Sequence, residues 1–194
     1  MDKEKMREDM KGAIKDSLSI FRAILLDHGI NSLPREVTEL PSYANDFLEY
    51  VRQKAREDLP ESQFTGKIYL NNVSDMVEIG GYVGYNGEFI EISYAKPDTN
   101  NVNIKKNRDR TSLQSSTKGE SNLDFQKLEE SDDVISWHTH PVPEAPSYPD
   151  FDHMIKNTKM LQDLFENKKA YFVLYLPLLD QANWFEVKEN CRHT

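Results

Sequence analysis

The sequence predicts an α/β domain whose mixed sheet is flanked by helices, with a helical extension in front of it. A helical spacing of apolar residues runs through the first 60 residues, and a strand-like spacing begins near residue 66. After residue 66 the predicted order is hairpin, loop, strand, helix, strand, strand, which is typical of a mixed sheet. We therefore expect residues 1–60 to form the extension and residues 62–194 the α/β domain.

Composition narrows the classes of partner. The chain has 194 residues, 33 of them acidic and 24 basic, for a net charge of −9. An acidic surface disfavours nucleic acid, because affinity there rests on cationic contacts to phosphate. No apolar run approaches the ~20 residues that cross a bilayer, and the first residues lack a signal-peptide core. The single cysteine, Cys191, allows no disulfide within the chain. These features predict a cytoplasmic protein without a membrane partner.

Two helices are predicted before residue 60. Residues 3–28 carry an apolar stripe, and Gly29 is a natural stop. The stripe consists of Met6, Met10, Ile14, Leu18, Phe21, Ile24 and Leu25. It predicts packing against a core, and the alternative is a face for homo-oligomerisation or for a partner. Residues 31–41 read as a connection with two prolines. A second helix is expected over residues 43–57, with Ser42 as N-cap. Its inward residues are Phe47, Leu48, Val51 and Ala55.

The spacing then changes to that of strands. Residues 66–70 resemble a strand, and residues 77–94 form a predicted hairpin whose turn is Asn86-Gly87. Residues 97–122 are polar and predict a long, mobile surface loop. This loop holds a cluster of basic residues, Lys105, Lys106, Arg108 and Arg110. It is either a solvated insert or a substrate-binding element. Residues 123–130 predict a short strand or one turn of helix.

Three strands and one helix are predicted in the last third. Residues 134–140 form a strand, and Ser147 opens a helix as its N-cap, with Pro149 in the first turn. Residues 170–176 are almost continuously apolar, which is typical of a strand buried on both faces. Residues 183–188 form the final strand. Tyr82, Tyr85, Tyr94 and Trp184 are interpreted as core or hairpin packing.

The segment from residue 136 to residue 150 carries the candidate chemistry. His138 and His140 lie two apart, so a strand directs both to one face. Asp150 follows in the first turn of the next helix, after a link stiffened by three prolines. Two imidazoles and one carboxylate leave a fourth position open, which is typical of a catalytic zinc site. Asp152 and His153 are the alternative third ligands.

A third segment extends the pattern upstream. Glu78 stands just before closely spaced glycines, two of which are Gly81 and Gly84. Together with the histidine segment, this resembles the JAMM (MPN-plus) family of zinc metalloproteases. The residues that match its motif are Glu78, Gly81, Gly84, His138, His140, Pro141, Ser147 and Asp150. The resemblance covers residues 66–188. One departure is the spacer between His140 and Ser147, which has six residues where the family usually has seven.

The resemblance implies both a fold and an activity. The fold is JAMM/MPN-like, with a cytidine-deaminase-like architecture. The activity is zinc-dependent hydrolysis of a peptide or isopeptide bond, including bonds to ubiquitin or ubiquitin-like proteins. His138, His140 and Asp150 would bind Zn²⁺, Glu78 would act as the general base, and Ser147 would stabilise the oxyanion.

Two other functions remain open. A non-catalytic MPN-type scaffold would bind a partner protein and need not keep metal ligands. A metal-dependent hydrolase or binding protein could instead act on a small molecule or on nucleic acid. Glu78 itself has an alternative interpretation as an ordinary surface acid, since Glu88 and Glu91 lie nearby in the sequence.

Overall fold

A computed structural model describes residues 1–68, 73–96 and 124–190 of the chain. The helices of this part are α1 (Lys3–Asp27), α2 (Ala44–Asp58), α3 (Ser62–Thr65), α4 (Phe125–Glu130) and α5 (Tyr148–Leu164). The strands are β1 (Ser32–Glu36), β2 (Gly80–Tyr85), β3 (Phe89–Ala95), β4 (Asp133–Thr139), β5 (Lys169–Leu176) and β6 (Gln181–Glu189). Short 3-10 turns lie at Val73–Asp75 and Pro177–Leu179.

The six described strands form one mixed sheet in the order β1-β6-β5-β4-β2-β3. β4 and β5 run parallel, and every other neighbouring pair is antiparallel. Helix α5 makes the crossover between the two parallel strands, which a parallel pair requires. The predicted α/β class with a mixed sheet flanked by helices is therefore confirmed.

Helix α1 agrees with the prediction to within one residue at its C-terminus. Asp2 caps its start by accepting a hydrogen bond from the Lys5 amide at 3.0 Å. Gly29 follows its end with a φ of +74°, a left-handed conformation that suits glycine. The prediction that Ile24 belongs to the buried stripe is wrong, because its side chain is 38% exposed. The stripe residues that are buried are Met10, Ile14, Leu18, Phe21 and Leu25. Association through α1 stays a prediction.

Two local predictions near α2 are wrong. Residues 32–36 are not a simple connection, since they form β1, which pairs antiparallel with β6. Pro34 fits there because β1 is an edge strand, where a missing N–H costs no ladder bond. Helix α2 is capped at Tyr43, which makes no side-chain capping bond, so Ser42 is not its N-cap. The predicted inward residues hold for Phe47, Val51 and Ala55, whereas Leu48 is only partly buried.

The hairpin and the later elements follow the sequence closely. β2 and β3 pair antiparallel around Asn86-Gly87, and Gly87 has a φ of +103°. The predicted strand over residues 66–70 is absent at residues 66–68, and residues 69–70 lie outside the described part. The predicted loop, with its basic cluster, and Cys191 also lie outside it.

The sheet separates two apolar cores. Helix α2 covers one face, where Phe47 and Val51 meet Ile135, Trp137 and other strand residues. Helices α1 and α5 cover the opposite face and meet the even-numbered residues of β5. We call these the α2 face and the α5 face. The first 60 residues therefore pack onto the same sheet as the rest of the chain, and the predicted domain boundaries stay a prediction. Among the described helices, none is long and apolar enough to cross a membrane.

Candidate metal centre

The carboxyl end of β4 places two histidines on the α5 face. His138 lies opposite Gly80 of β2 and beside Leu174 of β5, whose side chain belongs to the core under α1 and α5. His140 follows the strand, and its amide still donates to the Tyr175 carbonyl at 3.3 Å. This bond continues the β4–β5 ladder by one step. The period of two then puts both imidazoles on the same side of the sheet, as the sequence predicts.

Gly80 gives His138 the space it occupies. A Cβ added to Gly80 would lie 2.5 Å from the Trp137 carbonyl oxygen and 3.1 Å from the His138 Cβ. Any larger residue would therefore push β2 away from β4 at the rung that carries the histidine. Gly80 thus has a steric role at the site, whereas Gly81 packs closely against Ser93 of β3 and Gly84 against Ser131.

Helix α5 supplies the third side chain. Its N-cap is Ser147, whose Oγ accepts from the Asp150 amide at 3.3 Å, while the Asp150 Oδ2 accepts from the Ser147 amide at 2.8 Å. This reciprocal capping box fixes Asp150 in the first helical turn. Pro149 follows the cap, where its missing N–H costs nothing. The six-residue spacer therefore lets Asp150 reach the histidines.

The three side chains converge on one point. The Nε2 atoms of His138 and His140 are 3.3 Å apart. Asp150 places Oδ1 3.3 Å from the first Nε2 and Oδ2 3.3 Å from the second. One ligand atom from each residue lies within 4.8 Å of the others, a group that could hold a metal ion. Both histidines are buried, at 8% and 7% exposure, so a cation there would be largely shielded from water.

A hydrogen bond behind His140 sets its tautomer. Nδ1 lies 3.0 Å from the Glu144 carbonyl oxygen. A carbonyl only accepts, so Nδ1 carries the proton and the neutral ring presents the lone pair of Nε2 to the site. Metal-binding histidines are held in this way by an outer hydrogen bond, which also raises their basicity. His140 is therefore prepared as a ligand by the loop that links β4 to α5.

The electrostatics of the cluster favour a cation. Burial opposes the charged form of His138, but the adjacent Asp150 and the charge of Glu78 hold its pKa above the ordinary value. Burial likewise opposes the charged form of Asp150, but the two imidazoles hold the pKa of that carboxyl well below its usual range. Asp150 is thus ionised. Its negative charge would stabilise one positive charge among the three side chains, either a proton or a metal ion.

Glu78 and Ser147 lie at the margins of this group. Ile79 and Thr139 are joined by two hydrogen bonds, with the Ile79 amide donating to the Thr139 Oγ1 at 3.1 Å and the Thr139 amide donating to the Ile79 carbonyl at 3.0 Å. Continuing that pairing places Glu78 across from His140 on the α5 face. Glu78 is only 8% exposed, so it is not an ordinary surface acid. Ser147 is exposed and touches the centre through its capping bonds with Asp150.

The alternative ligands point elsewhere. Asp152 forms an ion pair with Lys156 at 2.7 Å. His153 is buried, and its Nε2 contacts Asn157 and Tyr82 at 2.6 and 3.3 Å. Tyr82, His153 and Asn157 thus form a second polar group, which the sequence motif does not predict. A signal for it exists, because positions 150, 153 and 157 share one face of a helix.

No protein-family model, no curated protein and no solved structure matches the chain. The residues themselves are therefore the support for a metal centre.

Proposed function

We propose that the protein is a zinc-dependent hydrolase of peptide or isopeptide bonds, of the JAMM type. The observation that carries the proposal is the convergence of three side chains: the Nε2 atoms of His138 and His140 lie 3.3 Å apart, and the Asp150 carboxylate places Oδ1 3.3 Å from the first and Oδ2 3.3 Å from the second. In a tetrahedral zinc site with ligands at ~2.0–2.1 Å, neighbouring ligand atoms lie ~3.3–3.4 Å apart. Two imidazole nitrogens and one carboxylate oxygen are also ligand types that zinc takes in catalytic sites. Three protein ligands leave the fourth position for substrate or water, as in catalytic sites.

The arrangement of the chain supports the same family. Glu78 lies before the hairpin, His138 lies near the end of β4, His140 directly follows that strand, and Asp150 lies in the first turn of the helix that comes next. The resemblance found in the sequence requires this order and these residue types. A JAMM/MPN-like fold with a cytidine-deaminase-like architecture is part of the proposal. So is a protein or peptide substrate, including a ubiquitin-like protein, which a cytoplasmic enzyme would meet.

Each residue has a distinct task in this proposal. Bound zinc would supply Lewis acidity, which polarises the substrate carbonyl and lowers the pKa of water toward ~7. His138, His140 and Asp150 hold the ion. Glu78 accepts a proton as the water oxygen adds to the carbonyl carbon, and it delivers that proton to the amine as the C–N bond breaks. The Ser147 hydroxyl donates a hydrogen bond to the oxygen that gains negative charge.

Metal content is the first test. Protein purified without chelator should hold about one zinc per chain by elemental mass spectrometry, as a three-ligand site predicts. His140→Ala should lose it. His28→Ala is the matched control, because His28 is exposed at the end of α1, where its Nδ1 bonds to the Ile24 carbonyl of the same helix. Folded wild-type protein that takes up no zinc would contradict the proposal and favour the scaffold interpretation.

Activity is the second test. Peptide and isopeptide substrates, ubiquitin-like conjugates among them, should be cleaved by the zinc-loaded protein. Glu78→Gln keeps the shape of the side chain and removes its basicity, so kcat should fall by about 10²–10⁴-fold with zinc retained. Glu88→Gln, in the hairpin turn, is the control and should leave kcat unchanged. Full activity in Glu78→Gln would remove the assignment of the base.

A further inference from the structure

We propose that Tyr82, His153 and Asn157 form a buried polar cluster that positions Asp150 for metal binding. The inference rests on the proposed metal centre and names positioning residues for it, outside the ligands themselves. The three residues are 2%, 8% and 5% exposed. They join β2 to α5 directly beside the candidate centre.

The contacts within the cluster are specific. The Tyr82 hydroxyl donates to the Asn157 Oδ1 at 3.0 Å. The Asn157 Nδ2 donates to the His153 Nε2 at 2.6 Å and to the His153 carbonyl at 3.0 Å. The Tyr82 oxygen also lies 3.3 Å from the His153 Nε2. Since Nε2 accepts a bond, His153 is the neutral tautomer with its proton on Nδ1.

The cluster lies one step from the metal ligands on both of its elements. On β2, Tyr82 is two residues after Gly80, which pairs with His138, so Tyr82 occupies the next rung on the same face. On α5, His153 and Asn157 are three and seven residues after Asp150 and share its side of the helix. A bond between Tyr82 and Asn157 therefore fixes the rotation and height of the helix that presents Asp150.

Polar groups suit this task better than apolar ones. Apolar side chains at the same positions would contribute burial without direction, and helix and sheet could slide by fractions of an ångström. A hydrogen-bonded cluster in a buried setting tolerates little displacement, because a broken bond leaves a buried polar atom without a partner. Metal ligands need positions within about half an ångström of the productive geometry. In the cluster, hydrogen bonds thus replace apolar contacts and fix the position of Asp150 more closely.

The test compares metal affinity in variants that keep all three ligands. Tyr82→Phe and Asn157→Leu remove the bonds and keep much of the side-chain volume. Each should weaken Zn²⁺ binding by about tenfold, the lower end of the effect of supporting hydrogen bonds on metal affinity. Competition with a chelating dye measures this. The visible absorption of the Co²⁺-loaded variants should also change in shape, since it reports ligand geometry and not stability alone.

Thr158→Val is the matched control. Thr158 is buried on the same helix, but its hydroxyl bonds to the Met154 carbonyl at 2.8 Å within α5 and not to the sheet. It should keep wild-type affinity and the wild-type Co²⁺ spectrum. Equal affinities and spectra in Tyr82→Phe, Asn157→Leu and Thr158→Val would overturn the inference.

A measurement without metal separates this inference from the proposed function. Hydrogen exchange in chelator should show faster exchange at amides 150–152 in Tyr82→Phe and Asn157→Leu than in wild type and Thr158→Val. If wild type binds neither Zn²⁺ nor Co²⁺ and this difference appears, the metal proposal fails while the positioning role stands. If exchange at these amides is the same in all four proteins, the positioning role is wrong.

Discussion

The two faces of the sheet differ sharply in chemistry, and a single strand shows it. β4 turns Ile135 and Trp137 toward the α2 face, where both are fully buried. The residues between and after them, Ser136 and His138, turn toward the α5 face. The α2 face is filled by aromatic rings, and the rings of Phe47 and Trp184 lie 5.4 Å apart. On the α5 face, the polar side chains of His138, His140 and Asp150 interrupt the apolar packing beside the sheet.

This difference indicates that the two faces have different roles. Burial of large apolar side chains is the dominant favourable contribution to folding, and both faces supply it, although only the α2 face does so without a polar group at its centre. Part of the α5 face gives up such packing to hold imidazoles and a carboxylate. The remainder of that face, where Phe151 stacks on Phe21 at 5.0 Å, restores an apolar core around the polar group. Substitutions on the two faces should therefore affect different measurements.

The largest expected effect on stability is on the α2 face. Phe47 is fully buried, so Phe47→Ala should lower the free energy of unfolding by about 3–5 kcal/mol through lost burial and a cavity. Urea unfolding in chelator measures this. Leu48→Ala, at a partly buried neighbour, should cost less. Zinc stoichiometry of the folded variant should stay at the wild-type value, and its loss would show that the two faces are not independent.

Zinc should stabilise the protein only through the α5 face. At a free concentration of 100 times Kd, a ligand that binds only the folded state adds about 2.7 kcal/mol. Thermal or urea unfolding with and without zinc measures this gain. Asp150→Asn should lose most of it, whereas Asp152→Asn, which removes an ion pair with Lys156 and no ligand, should keep it. Equal gains in the two variants would argue against Asp150 as a ligand.

Acidification should also remove the stability that the neutral form of His153 contributes on the α5 face. Burial, with a further effect from His138, lowers the pKa of His153 to about 4 from an ordinary value near 6.5. At His153 the unfolded protein binds more protons than the folded protein between these values, so the contribution of this residue to stability is full above pH 6.5 and falls toward pH 4. His153 should therefore contribute a loss of about 2 kcal/mol from pH 7.5 to pH 5, whereas His138, whose pKa is raised, contributes in the opposite direction.

The control for the pH effect is His153→Gln. It removes the titrating group, so its free energy of unfolding in chelator should depend less on pH over the same range than that of wild type. Parallel pH dependences in the two proteins would show that His153 is not buried in its neutral form.

The smallest effect should come from a hydrogen bond on the α2 face. The Tyr43 hydroxyl donates to the Asp133 Oδ2 at 2.7 Å, far from the ligands in the topology of the sheet. Tyr43→Phe should cost about 1 kcal/mol of unfolding free energy and leave zinc affinity unchanged. Tyr82→Phe on the other face should lower that affinity. These two variants test the difference between the faces directly, since each removes one tyrosine hydroxyl, from the α2 face in one case and from the α5 face in the other.

Much of the candidate site could be predicted from local pattern. The spacing of His138 and His140 and the capping sequence from Ser147 to Asp150 are short-range features, and both have the expected geometry. The outer contacts could not be predicted. The bond from His140 to the Glu144 carbonyl depends on the path of a loop, and the Tyr82 cluster depends on how α5 rotates against β2.

Sequence by itself determined the α/β class, the bounds of α1 and α2 to within one residue, the start of α5, the hairpin, and the two histidines and the carboxylate of the candidate centre. Apolar periodicity, caps and turns depend on a few neighbouring residues, so they can be predicted without knowing where the rest of the chain lies. Tertiary structure alone decided that residues 32–36 join the sheet as β1, because an edge strand is defined by its partner β6. It also decided that Asp150, and neither Asp152 nor His153, meets the histidines, since that choice depends on the docking of a helix against a sheet.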